Sequence, residues 1–167
     1  MRLGQYFGQW LKKSFFFNNS NLSSLQVLEI GPGYNWASEY INEKNAHYQS
    51  LDVVAPADII CDIKDYKSSS IATQKFDVII AFEIVEHVDC LEEISSLLNS
   101  GGFAFVTTPV PHFDWVCNLL EFLHINQKRT SPHSNLIYLR TSLPPSLTIK
   151  KYKNPFFLGQ WAILEKI

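Results

Sequence analysis

The sequence predicts an α/β fold on a mostly parallel sheet, and three observations carry that expectation. From Leu25 onward, apolar runs short enough to be strands alternate with segments of helical period. The first run, Val27-Leu28-Glu29-Ile30, breaks into Gly31-Pro32-Gly33, the glycine turn of a strand that feeds a helix. The last two runs, between 147 and 165, are separated by a short Asn154-Pro155 break, which reads as an antiparallel hairpin closing the sheet.

Taken in order, Leu3, Phe7, Trp10 and Leu11 have helical spacing, with Arg2, Lys12 and Lys13 at polar positions, so the chain opens on an amphipathic helix. The expected arrangement packs that helix on its own domain; the alternative is peripheral contact with a membrane surface. The shift from Phe15-Phe16-Phe17 to Asn18-Asn19-Ser20-Asn21 marks a boundary. Residues 1–20 are therefore read as helix and linker, and 21–167 as a single domain. Strands are expected near 26–30, 47–53, 57–61, 76–82, 102–108, 147–153 and 157–165, with helices near 35–43, 66–73, 89–99 and 113–124. Asn35 can cap the first of these four helices. Asp89 occupies the cap position of the third, Leu91, Ile94, Leu97 and Leu98 form its apolar face, and Gly101-Gly102 stops it. Between the second and third strands too few residues remain for the dozen or so that a parallel crossover takes, so the helix there is shortened or absent.

The 167 residues, 46% of them hydrophobic, suffice for one core. No apolar run approaches the roughly 20 residues of a membrane span, and the N-terminus lacks the pattern of a signal peptide, which points to a cytoplasmic protein. Cys61, Cys90 and Cys117 are odd in number and have no metal-ligand spacing, so they read as buried thiols. The net charge of −2 conceals an asymmetry: up to Ile125, 7 Lys/Arg oppose 15 Asp/Glu, and beyond it 7 oppose Glu165 alone. A basic final third suits an anionic substrate, nucleic acid or acidic membrane surface, or is simply a solvated face.

The glycine turn lets backbone N–H groups and a helix N-terminus approach a ligand. Trp36 stands where a dinucleotide fingerprint needs its third glycine, and Glu29 would repel a pyrophosphate but attract an ammonium group. With Glu29-Ile30-Gly31-Pro32-Gly33-Tyr34-Asn35 as first motif, the sequence resembles the class I S-adenosylmethionine-dependent methyltransferases; Asn35 replaces that family's last glycine. The resemblance continues through Asp52, Asp62, "FDVIIAFEIVEHV" and "LLNSGGFAFVTTP". It implies a Rossmann-like three-layer sandwich. It also implies S-adenosylmethionine as cofactor, held by Glu29, Gly31, Pro32, Gly33, Asp52, Asp62 and Glu83, with Asp52 on the ribose and Asp62 facing the adenine amino group.

Methyl transfer from a sulfonium requires alignment of the nucleophile and removal of its proton, and histidine is the side chain that titrates near neutrality. His87, with Glu86 beside it, is the expected catalytic pair, acting on an oxygen or nitrogen of a small-molecule or carrier-linked acceptor without a metal. The run Glu83-x-x-Glu86-His87 also resembles metal-dependent small-RNA 2′-O-methyltransferases, where two acids and two histidines hold a divalent ion. His112 or His133 could supply the second histidine around Mg²⁺ in that alternative. Residues 109–145 form the expected substrate lid, with His112, His133 and Asn135 as candidate substrate contacts; Trp115 and Phe122 suit the apolar face of its helix equally well. A third reading is a cofactor-binding or interaction protein without catalysis.

Overall fold

The computed structural model describes residues 3–18, 20–33, 35–113, 115–116 and 133–167. Among these residues seven strands form one sheet: β1 Gln26–Ile30, β2 His47–Asp52, β3 Ile59–Ile60, β4 Phe76–Phe82, β5 Leu98–Pro109, β6 Leu147–Lys153 and β7 Gly159–Lys166. Their order is β3-β2-β1-β4-β5-β7-β6. The pairs among β1 to β5 are parallel, whereas β7 runs antiparallel to both β5 and β6. This is the expected α/β architecture, ending in the expected hairpin. Six residues, 53 to 58, join β2 to β3 without a helix, and β3 is only two residues long.

Strand alternation sends side chains to two apolar layers. Leu28 and Ile30 of β1, Ile79 and Ala81 of β4, and Ala104 and Val106 of β5 face a layer completed by Ile63, Tyr66, Leu91, Ile94 and Leu97. Val27, Val78, Ile80 and Phe105 point the other way, toward Phe16, Phe17, Leu22, Ala37 and Ile41. The N-terminal segment supplies much of that second layer. Helix α1, Leu3–Lys12, runs into a π-helical turn, Lys13–Phe17, which drives Phe16 and Phe17 into the sheet face where they are fully buried. Phe16 lies 4.9 Å from Phe82, 5.4 Å from Phe105 and 6.1 Å from Trp161 between ring centroids.

Several local expectations are corrected. Helix α2, Trp36–Asn42, begins after Asn35, whose side chain makes no capping bond; Asn35 instead takes the left-handed conformation that Asn tolerates. The helix expected at 66–73 is a 3-10 segment, Ile63–Ser68, with Asp62 as its cap. Helix α3, Leu91–Leu97, starts after Cys90 rather than Asp89, and no side chain caps it. It also ends before the glycine pair, because Leu98 has already turned extended into β5. Gly102 is required for packing: a Cβ there would sit 2.9 Å from the Asn99 carbonyl oxygen and 3.0 Å from that of Asp77. Of the thiols, Cys90 is buried and Cys61 half-buried, while Cys117 and most of the helix expected at 113–124, with His124 and Phe122, lie outside the described residues.

Because Phe16 is a plug between the N-terminal segment and three strands, Phe16→Ala is expected to lower unfolding stability by about 3–5 kcal/mol, measured by urea denaturation. A loss below about 1 kcal/mol would mean that the segment is not part of the folded core.

Candidate active site

The strand order reverses on either side of β1: the chain passes from β1 to β2 on one flank and reaches β4 on the other. Ligands of open α/β sheets bind at the carboxyl ends of strands beside such a reversal. A cleft of about 410 Å³ opens there, lined by Ile30, Gly31, Gly33, Leu51, Asp52, Asp62, Glu83, Ile84 and His87 among others. That volume is in the range of small-molecule sites.

The glycine turn forms the cleft's first wall. Gly31 follows β1 with φ +65° and its N–H donates to the Leu51 carbonyl, 2.8 Å. A Cβ at Gly31 would collide with Ile84 Cδ1, so the backbone comes as close to the opposite wall as a residue without a side chain permits. Gly33, φ +54°, has open space where its Cβ would be. Pro32 between them is buried, and its carbonyl accepts the Asn35 N–H at 3.0 Å. Asp52 ends β2, with Oδ1 at 3.4 Å from the Val54 N–H. Asp62 is exposed across the cleft, and its Oδ1 accepts the Lys64 N–H at 2.9 Å. Among the described residues neither carboxylate is consumed by an ion pair, so both retain lone pairs toward the cleft.

Glu29 is not among the lining residues. Its position in β1 puts it on the face of Val27, under α2, where it is 3% exposed and accepts the Tyr48 hydroxyl at 2.7 Å. Burial raises its pKa to about 7 despite that hydrogen bond.

At the end of β4 the chemistry changes. Glu83 has φ +57°, a conformation that costs a residue with a Cβ and that clusters at functional sites. Thr107 of β5 holds it there: the Glu83 N–H donates to the Thr107 carbonyl at 2.9 Å, and the Thr107 hydroxyl donates to Glu83 Oε1 at 2.7 Å. Lys12, from the end of α1, reaches the same oxygen at 3.0 Å. Partial desolvation of the half-exposed Glu83 side chain opposes its charge, but Lys12 and the Thr107 hydroxyl outweigh it and keep the carboxyl below its ordinary range. Glu86 behaves oppositely. It is 1% exposed, and burial together with the charge of Glu83 pushes it up to about 9. At neutral pH the pair therefore holds one charge, on Glu83, and one proton, on Glu86.

Among the described residues Glu86 Oε2 is buried without a hydrogen-bond partner. One ligand atom each from Glu86, His87 and His133 lie within 4.8 Å of one another, a spacing that could hold a metal ion. His87 lines the cleft, and its ring meets that of His133 edge-on at 4.9 Å. Asn135 is turned away to the loop: its amide donates to the Val85 carbonyl at 2.8 Å and its N–H to the Glu86 carbonyl at 2.8 Å. It positions the Glu86 segment. His112 bonds the Tyr138 hydroxyl and is not among the cleft's lining residues. Trp115 is exposed. Lys12 and Thr107 were not legible as site residues: Thr107 stands in an apolar strand, and Lys12 meets Glu83 across 71 residues of sequence.

A family model described as "Methyltransferase domain" matches residues 4–141. No curated protein matches the sequence. Among solved structures, a candidate S-adenosylmethionine-dependent methyltransferase from Listeria monocytogenes aligns with TM-score 0.68 and 13% identity, covering 97% of this chain and 99% of its own. The N-methyltransferase NodS from Bradyrhizobium japonicum aligns with TM-score 0.65 and 14% identity, over 96% and 97%. Magnesium protoporphyrin IX methyltransferase from Synechocystis, with S-adenosylhomocysteine bound, gives 0.59 and 12%, over 98% and 83%. At these identities the likeness concerns the fold.

Glu29 supplies a pH test of this geometry. Its folded pKa lies above the unfolded value of 4.5, so the folded state holds the proton longer, and stability falls as pH rises from about 4.5 to about 7. Glu29→Gln should flatten that part of the profile, read as urea midpoints across the window. An unchanged slope would show that Glu29 is not held in a desolvated site.

Proposed function

The chain belongs to the methyltransferase-domain family, and from that premise we propose that it transfers a methyl group from S-adenosylmethionine to an oxygen or nitrogen of a small-molecule or carrier-linked acceptor. The observation that carries this reading is the cleft beside β1, where a glycine turn that admits close backbone approach faces two carboxylates that no described residue engages in an ion pair, at the end of β2 and just after β3. Gly31 and Gly33 would hold the methionine end, Asp52 the ribose hydroxyls and Asp62 the adenine amino group. When bound, the cofactor supplies a methyl group already activated on a sulfonium.

What remains for the chain is alignment and a proton. His87 lines the same cleft and is the residue placed to accept the acceptor's proton. Glu83, charged and fixed by Lys12 and Thr107, would attract a cationic group, whereas the neutral Glu86 does not add a second charge that would hold the acceptor too tightly. Asn135 pins the backbone between these acids and His87.

A second reading has specific support in the Glu86, His87 and His133 cluster and in the unpartnered Glu86 Oε2. With Mg²⁺ held there, the acceptor would be an RNA 2′-hydroxyl, and Glu86 would lose its proton to solvent as its carboxylate took up the ion.

Titration calorimetry with S-adenosylmethionine should show binding, and Asp52→Ala should weaken it about 10- to 100-fold, the worth of roughly 1.5–3 kcal/mol in charge-assisted hydrogen bonds. No binding at millimolar cofactor, or an Asp52→Ala protein that binds as well as the parent, would overturn the assignment. His87→Ala should leave that affinity intact and reduce methyl transfer by about 10²- to 10⁴-fold. Transfer that survives EDTA would exclude the metal-assisted reading.

A further inference from the structure

We propose that the outer face of α1 and the turn between β6 and β7 form a docking surface for a lipid bilayer containing anionic lipid. Four large apolar side chains stand out there: Phe7 is 53% exposed, Trp10 62%, Phe156 67% and Phe157 76%. Three of them, Phe7, Trp10 and Phe156, come from the two ends of the chain and converge. Phe7 stacks on Trp10 at 6.1 Å between ring centroids and lies 6.5 Å from Phe156.

The backbone of the turn works to keep these rings outside. Phe156 has φ +53° and Phe157 φ +61°, left-handed conformations that disfavour any residue with a Cβ and suit Gly or Asn. Two bulky aromatics at two such positions, both in water, carry a conformational and a solvation penalty that folding alone does not repay. A surface that exists to meet something apolar accounts for both.

Charge selects the occupant. Residues 3–18 and 147–161 contain Lys12, Lys13, Lys150, Lys151 and Lys153 and no Asp or Glu. Lys12 is engaged by Glu83 and Lys150 by Glu165. Lys151 lies over the Phe15 ring at 4.3 Å, which puts it on the side of the sheet that the N-terminal segment covers. Lys153, two residues along the same strand and exposed, shares that side at the base of the turn. Protruding Phe and Trp tips with lysines beside them match the two layers of an anionic membrane, acyl boundary and phosphate headgroup, and the residue types are those enriched at that interface. Lys12, on the side of α1 away from Phe7 and Trp10, bonds Glu83 of the cleft and is not part of this surface.

The experiment is co-sedimentation of the full chain with vesicles of phosphatidylcholine, with and without phosphatidylglycerol, in the absence of any cofactor, so its result does not depend on the methyl-transfer reading. Binding is expected to the anionic vesicles, weaker at high salt, and weakened about tenfold or more in a Phe156→Asn, Phe157→Gly double variant and in Trp10→Gln. The first variant places residues that favour a left-handed backbone at both positions, so its thermal midpoint should not fall. The proposal is overturned if the parent fails to sediment with anionic vesicles, or if the folded variants sediment as well as the parent. It is equally overturned if the parent is a stable dimer that the variants convert to monomer and no vesicle binding is seen, which would make the surface an interface between copies of this chain.

Discussion

Strand β1 lies with β2 on one flank and β4 on the other, and the chain departs from β1 toward one side and returns on the opposite side. Connections that leave in opposite directions cannot both cover the carboxyl end of β1, so a crevice is left open at that point. The lining of the cleft is arranged around this topological constraint. The Gly31 turn, Asp52 and Glu83 are each the residues at which a neighbouring strand ends, and their approach to one another follows from parallel pairing in register. The sheet itself is held by apolar layers on both faces, and one of those layers is supplied largely by the segment preceding β1.

That segment does more than cover the sheet. The π-helical turn that buries Phe16 and Phe17 follows a helix whose final residue, Lys12, pairs with Glu83 and favours the charge on that member of an acidic pair. Two carboxyl groups this close cannot both ionise cheaply. Lys12 and Thr107 decide which one does, leaving Glu83 charged and Glu86 protonated beside His87. Core packing, electrostatics and the site are thus joined through a single short segment.

Much of the scaffold could be read from the residues. The bounds of β1 and β4 coincide with the expected ones because buried strands leave near-continuous apolar runs that few other elements produce. The missing helix between β2 and β3 followed from chain length alone. Helix ends were harder: Asp89 looked like a cap, yet the chain turns helical one residue later, and no side chain closes the helix. The segment expected to be helical at 66–73 tightened into a 3-10 turn, since burying Ile63, Tyr66 and Ile71 against α3 set its path more than its local period did. At the site, Asp52, Asp62 and His87 could be picked out because they stand at strand ends or in a dense polar run. Glu29 looked like a ligand from its distance to the glycines, but strand alternation carries it to the opposite side of β1. Lys12 and Thr107 were invisible because their roles exist only across long sequence separations.

The most direct measurement is a crystal structure of the chain with S-adenosylhomocysteine. The account predicts the ribose hydroxyls on the Asp52 carboxylate, the amino-acid end over Gly31 and Gly33, and the sulfur facing His87. A ligand bound elsewhere, or a cleft left empty at millimolar concentration, would contradict it.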